Sequence, residues 1–398
     1  MALTTKGIFV IGAKRTPFCS FGGPLRDTPA GLAFAATAKD AIQMSKLDPT
    51  FIDNTVIGNA HYLSQCDGGK TARYCGLYSD VPIDRPALAV NKACGSGLQA
   101  VITGAQDILT GMARVSLTGG TEIMSALPFL VKNVRFGSSL GSNYTFEDHI
   151  QKQFLDSHSG LTLQRMAEDL ARKYGIKRQE VDEFALSSHL KWKAAQESKL
   201  FDNELTSVNV TLKKKEVVVD KDELPQQKIS LEGLSQLPSI NDDASVITTG
   251  NSSGPADGAA AVLIADEGTV EQNQVKPLAR VAGWACVGSD PLEPGLGAVP
   301  AVEKLLSVAG LTVNNIDLFE INETFASQVL ASAMVLHIDP AKINVSGGAV
   351  ALGNPVGATA ARMVVHLVHE LRRRNLKKGI VASSCGGGQG IAVLFEAL

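Results

Sequence analysis

The chain has 398 residues, 44% hydrophobic and 5% aromatic, and carries a net charge of −3. That length supports two or three domain-sized cores, while the near-neutral charge leaves no footprint for nucleic acid. No apolar run reaches membrane-spanning length. The six cysteines (Cys19, Cys66, Cys75, Cys94, Cys286, Cys385) show neither C-x-x-C spacing nor a histidine-rich ligand pattern, so free thiols in a reducing compartment are expected, not a disulfide or zinc scaffold.

In chain order, the first residues run straight into a strand-like Gly7 to Ala13, which leaves no room for a secretory signal. A helical pattern over Leu32 to Met44 leads through Ile52-Asp53 to a strand ending at Gly58-Asn59. Ala87 to Asn91 reads as a strand, Lys92-Ala93-Cys94-Gly95-Ser96-Gly97 as a tight turn, the run to Leu109 as a helix, and Val115 to Gly119 as a strand. From residue 125 to 244 the composition turns polar, with Lys213-Lys214-Lys215 and a charged stretch from Asp220 to Glu223. Helical spacing survives there in Met166 to Tyr174 and Val181 to Ser198, so this segment is expected to be an inserted, folded loop or cap domain.

After the turn Asn251 to Gly258, Ala259 to Ile264 reads as the last strand of the first half. Leu278 to Ala285 then opens a second series: a helix over Val302 to Val308, a strand over Ile316 to Asn322, and a strand over Lys342 to Val345. A glycine-rich turn follows, then a helix to Arg374, the strand Gly379 to Ser383, and a second cysteine knot, Ser384-Cys385-Gly386-Gly387-Gly388-Gln389-Gly390. The C-terminal Phe395 to Leu398 carries no peroxisomal tripeptide.

The two series match element for element. Each passes from helix through Ile-Asp to a strand ending in asparagine (Asn59, Asn322), then through strand, Gly-rich turn, helix and strand. The pattern predicts an α/β protein of two pseudo-symmetric halves whose equivalent turns face a shared seam. The halves are expected at residues 1–124 with 245–273, and at 274–398, with the cap at 125–244.

Cys94 follows a strand and opens a helix, where peptide dipoles and free N–H groups stabilise a thiolate and its own amide can serve an oxyanion. That is the setting of an acyl-accepting nucleophile, although a small residue fitted to a tight turn would look the same. Asn322 ends a strand on the seam with an amide that donates and accepts, and the Gly386 to Gly388 run allows close backbone approach to a planar thioester.

The whole chain resembles the thiolases, and within them the branch that degrades 3-ketoacyl-CoA. The resemblance rests on Ala13 to Phe18, Cys94 to Gly97, Gly119-Gly120-Thr121-Glu122, Val131 to Gly137, Asn322-Glu323-Thr324-Phe325, Gly347-Gly348-Ala349 and Gly386 to Gly390. It implies the thiolase fold, two α/β halves each with a mixed five-stranded sheet plus a cap. The implied reaction is ping-pong acyl transfer: Cys94 attacks the keto carbon, acetyl-CoA leaves as its carbanion is protonated by a cysteine of the last loop, and CoA takes the acyl group. It further implies oxyanion holes from Asn322 with a water, and from the amides of Cys94 and Gly386. Coenzyme A is substrate, without metal or redox cofactor; acyl-CoA and CoA are the partners of a homodimer or homotetramer, in the mitochondrial matrix or alternatively the cytoplasm.

Against the family pattern, Asn354 stands where the loop otherwise reads Gly-His-Pro, and an amide cannot take the nucleophile's proton. Aligning the glycines puts Ser384 at the second cysteine's position and Cys385 one residue late, which in extended chain turns a side chain to the opposite face. Ser253, Leu163 and Phe325 are the implied acyl-CoA contacts; an arginine that meets the CoA nucleotide in relatives falls on Leu224 or Gln226. Of the seven histidines, none falls in the expected catalytic loops: His366 and His369 read as packed or solvent-facing, and His158 is the outside candidate for a replacement base. These departures predict slow thiolysis, and leave open a CoA-binding partner subunit without turnover, an acetoacetyl-CoA thiolase, or an ordinary enzyme with altered site residues.

Overall fold

The computed structural model describes residues 2–3, 7–65, 67–225, 228–241 and 245–398; Cys66 and Gln226 lie outside them. The principal elements are β1 (Ile8–Arg15), α1 (Ala30–Ser45), β2 (Asn54–Gly58), β3 (Ala87–Val90), α2 (Ser96–Leu109), β4 (Val115–Ile123), α3 (Leu163–Lys173) and α4 (Arg178–Glu197). They continue with β5 (Ala256–Asp266), β6 (Ala279–Gly288), α5 (Ala298–Ala309), β7 (Leu318–Ile321), α6 (Ala326–Leu336), α7 (Val356–Arg373), β8 (Lys378–Cys385) and β9 (Gln389–Ala397).

The strands run in the order β7-β8-β9-β6-β1-β5-β4-β2-β3. The predicted repeat is visible in the pairing. From the centre outward, β1-β5-β4-β2 and β6-β9-β8-β7 show the same antiparallel, antiparallel, parallel sequence. β1 and β6 meet edge to edge through Ala279 with Val10 and Arg280 with Phe9, and Ala2 and Leu3 pair with Trp284 and Gly283 of β6.

The second half departs from the expected five strands. Where β3 pairs with β2 over four residues, the predicted strand Lys342 to Val345 makes a single bridge, Ile343 to Phe319. Pro340–Lys342 is a 3-10 turn, and Asn344 adopts φ +44° with its side chain bonded to the N–H and carbonyl of Ile321. A side-chain amide has taken the place of the ladder.

Both sheets are buried on both faces, and the period of two sorts their residues into layers. In β5, Ala260, Val262 and Ile264 face α2 and α7, while Ala259, Ala261, Leu263 and Ala265 face α1. In β8, Val381 and Cys385 face the same two helices, while Ile380 and Ala382 face α5. The two central helices are thus sandwiched between the half-sheets, which is why α7 is buried nearly all round, its Arg362, His366 and Glu370 included.

The cap is tied to β1 by a buried ion cluster. Arg15, fully buried, donates bidentately to Asp222 at 2.7 and 3.0 Å and to Glu204 at 2.8 Å; Asp222 also accepts from the Phe18 N–H and the Trp192 indole. Glu204 in turn meets His366 of α7 at 3.0 Å. Of the two histidines read as packed or solvent-facing, His366 is buried, and His369 is partly buried with a ring nitrogen on the Ala13 carbonyl.

Burial alone would raise the Glu204 carboxyl, but His366 and Arg15 hold it well below the usual carboxylate range. Burial alone would lower His366, and Glu204 raises it instead. A depressed Glu204 contributes stability that is full above the unfolded glutamate value of ~4.3 and is lost as pH falls. A raised His366 contributes stability that is full below ~6.5 and is lost as pH climbs through its folded value. Stability measured by urea unfolding should therefore decline on both sides of that window, and Glu204→Gln should flatten both limbs. Asp222→Ala, which removes the bidentate partner of Arg15 and leaves the Phe18 N–H and Trp192 indole without their acceptor, should cost about 3–5 kcal/mol in the same assay.

Candidate active site

The central helices start against each other. Gly97, in the first turn of α2, lies where a Cβ would come within 2.7 Å of the Ala361 N, so the backbones of α2 and α7 touch. This brings the residue before each helix together: the Asn354 Nδ2 lies 3.8 Å from the Cys94 Sγ. The amide's orientation is set from behind, because its Oδ1 accepts from the Thr359 hydroxyl at 2.7 Å.

The turn bearing Cys94 is tightly held. Ala93 has φ +44°, and the Ser96 hydroxyl accepts from the Lys92 N–H at 2.8 Å while donating to the Ala93 carbonyl at 2.6 Å. A non-glycine residue kept in left-handed backbone by its surroundings is common at functional turns. The thiol does not rest as the thiolate that a helix start alone would favour. Burial pushes it up from its ordinary value, and the bonds from Asn354, Thr324 and its own N–H only partly offset this, with Glu122 adding to the rise.

Cys94 opens onto a cavity of about 610 Å³ that also takes in Asn354, Ser253, Leu163, Phe325 and Gly386. Ser253 gives both its N–H and its hydroxyl to the Thr324 carbonyl, at 3.0 and 3.1 Å. Asn322 sits just behind, fully buried, its Nδ2 on the Thr324 hydroxyl at 3.2 Å and its Oδ1 without a protein partner. Thr324 thus links Asn322 to Cys94, a role its place in the Asn-Glu-Thr-Phe string did not reveal. Leu224 lies elsewhere, in a neighbouring cavity of about 310 Å³ with Lys228 and His189.

Ser384 and Cys385 both reach a smaller cavity of about 40 Å³ beside Cys94, but from opposite faces of β8. The Ser384 hydroxyl donates to the Gly295 carbonyl at 2.7 Å and accepts from the Ala298 N–H at 2.9 Å, so both its functions are engaged. The Cys385 thiol packs on Gly95, where a Cβ would sit 2.7 Å from its sulfur. Burial, together with the neighbouring Cys94, pushes it up to about 12.

The histidine expectation is overturned in part. His158 is exposed and lines no part of this cavity, whereas His61 and His149 both line it. His61 follows Asn59 at the carboxyl end of β2, the zone of parallel strands where α/β sites gather, and that position was the signal available.

Two sequence profiles cover the chain: the thiolase N-terminal domain matches residues 8–268 and the thiolase C-terminal domain residues 275–397. The chain belongs to the thiolase family. It is 43% identical to the mitochondrial 3-ketoacyl-CoA thiolase of Homo sapiens over 391 residues, 98% of each chain. It is 39% identical to the acetyl-CoA acetyltransferase of Escherichia coli over 394 residues, 99% of this chain and 100% of that one. The crystal structure of human mitochondrial 3-ketoacyl-CoA thiolase superposes with a TM-score of 0.96 over 99% of both chains, and its complex with CoA with 0.95 over 99% of this chain and 98% of that one. The α/β thiolase fold and an acyltransferase of the CoA-dependent thiolase type follow from that similarity.

Within this thiolase site the Asn354 amide is a donor to sulfur only while Thr359 fixes it. Thr359→Val frees the amide to rotate and removes about 1 kcal/mol of hydrogen bonding from the thiolate state. Alkylation of Cys94 by iodoacetamide at neutral pH should slow by roughly fivefold, with the far-ultraviolet circular dichroism unchanged.

Proposed function

We propose that this chain is a 3-ketoacyl-CoA thiolase, cleaving 3-ketoacyl-CoA with CoA to acetyl-CoA and a shortened acyl-CoA, in fatty-acid degradation. The observation that carries the reading is the Cys94 sulfur beside a fixed amide donor, at the mouth of a cavity walled by Leu163 and Phe325 and large enough for an acyl-pantetheine arm.

In this reading Cys94 adds to the keto carbon and the developing oxyanion is met by Asn354 Nδ2 and by a water on Asn322, whose buried Oδ1 has no protein partner. Carbon–carbon cleavage leaves the acyl group on Cys94, and the departing carbanion takes a proton from the last loop. Acidity and hydrogen bonding together favour Cys385 over Ser384 for that step. The Ser384 hydroxyl is held by a short 2.7 Å bond to the Gly295 carbonyl, whereas the Cys385 thiol, a stronger acid than a hydroxyl, makes only a long 3.8 Å contact with the Ser383 carbonyl. CoA then returns its thiol proton to Cys385 and displaces Cys94 from the acyl group. The amides of Cys94 and Gly386 hold the second oxyanion.

Coenzyme A is the substrate in this scheme, and the steps run on thiols and amides. A homodimer or homotetramer is the proposed assembly, supported by β3 as an outer edge strand whose Leu88 is 50% exposed. Localisation in the mitochondrial matrix is proposed from the names of the human, bovine and mouse relatives.

Incubation with a 3-ketoacyl-CoA should add the acyl mass to the Cys94 peptide, and Cys94→Ala should show none. Asn354→Ala should lower kcat by about 10²-fold, the scale of one lost oxyanion donor, with little change in KM. An unmodified Cys94 peptide under turnover conditions would falsify the reading.

A further inference from the structure

The cavity in front of Cys94 is also lined by a histidine backed by a carboxylate, a pair that the scheme above does not use. His61 is 9% exposed, and its Nδ1 lies 3.2 Å from the Oε2 of Glu122, close enough for ionic attraction though off the line of a good hydrogen bond. Glu122 is fully buried and held by four other donors: the Asn59 side chain at 2.8 Å, and the N–H groups of Ala60 at 2.9 Å, His61 at 3.3 Å and Gly357 at 3.0 Å. The last of these donors belongs to the first turn of α7, so the carboxylate is anchored to the same helix start that positions Asn354. His149, opening the short helix His149–Gln153, meets the His61 ring edge-on with centroids 6.2 Å apart.

We infer that His61, paired with Glu122, is the base that relays the Cys94 proton in this chain. The inference rests on the acyl-transfer reading, and it supplies what the Asn354 amide cannot. A nucleophile needs a proton acceptor backed by a third group, and here Cys94 and His61 line one cavity with Glu122 beside the His61 ring. Glu122 is also near enough to Cys94 for its charge to act on the thiol.

The protons balance over the cycle. In the first half-reaction the Cys94 S–H bond breaks, its electron pair stays on sulfur to form the new carbon–sulfur bond, and the proton passes through solvent in the cavity to the neutral His61 ring. In the second, CoA gives its proton to Cys385, its sulfur displaces Cys94 from the acyl carbon, and the His61 imidazolium returns its proton to the departing Cys94 thiolate. No oxidant or further reactant is needed.

The other titratable groups around His61 are Glu122 from β4, Tyr62 beside it in the chain, His149 with Asp148 from the short helix, and Cys94 itself. Burial, with His61 nearby, lowers His149, and of the two rings His61 is the one with a carboxylate behind it.

The test is the rate of Cys94 alkylation by iodoacetamide against pH, read by mass of the Cys94 peptide, for the wild type, His61→Gln and His61→Ala. The wild-type rate should rise with pH through an inflection that depends on the ring. Both variants should lose that inflection, alkylate about tenfold more slowly at neutral pH, and follow the thiol's own titration. Added imidazole should restore part of the rate to His61→Ala, which a merely structural role would not allow. If only one variant folds, it decides alone. A profile unchanged by losing the ring overturns the relay. Acyl-adduct formation by the wild type, followed in parallel, separates the two readings: no adduct with a His61-dependent profile sinks thiolysis and keeps the relay, whereas an adduct with a His61-independent profile does the reverse.

Discussion

The active-site geometry depends on the contact between the first turns of the two central helices. Each half-sheet buries one face against α2 and α7, so these helices have nowhere to move except along each other. Gly97 against Ala361, and Gly120 against the Gly357 carbonyl, bring the backbones closer than any Cβ would permit. The loops that precede the helices inherit that rigidity. Cys94 and Asn354, 260 residues apart in sequence, meet because their helices do. Glu122 belongs to the same arrangement, since it accepts from the Gly357 N–H and braces the α7 start from the β4 side.

That contact also decides the state of the nucleophile. A helix start is worth about 0.3–1 kcal/mol to an anion at exposed sites, whereas burial moves a thiol by up to several pH units. Cys94 follows burial: the thiol is raised although three groups donate to it. The resting group is therefore S–H, and the donors around it act on charge that develops during reaction. Such a site separates two tasks. Asn354 and Thr324 stabilise negative charge on sulfur or oxygen, and something else must accept the proton. An amide held by Thr359 performs the first task well because it cannot perform the second.

Most of the architecture was legible in the chain. Buried strands read as short apolar runs, the amphipathic helices as 3.6-residue periods, and the repeat of helix, Ile-Asp, strand and asparagine gave the pseudo-symmetry that the strand pairings display. The strand assigned to Lys342 to Val345 failed because Asn344 satisfies the Ile321 backbone with its side chain, a competition that residue type alone does not announce. Cys94 and Asn354 could be placed by position, as residues just before predicted helices. His61 was signalled only by its place just past the carboxyl end of β2; its meaning comes from Glu122, 61 residues on, and from a helix at His149 inside the segment read as cap.

The repeat supplies the remaining step. Asn59 and Asn322 are equivalent, each ending the second strand of its half, and each amide bonds a neighbour on the seam: Glu122 in one case and Thr324 in the other. A pseudo-symmetric seam therefore presents two sets of strand ends to one cavity. A titrating group that the second half does not contribute at Asn354 can be supplied from the corresponding zone of the first without moving any element. His61, two residues beyond Asn59, occupies that zone, and the carboxylate behind it is already buried for a structural reason. Glu122 orders the Ala60 and Gly357 amides whether or not an imidazole is present, so a single histidine placed at its edge acquires a carboxylate neighbour with no further change to the fold.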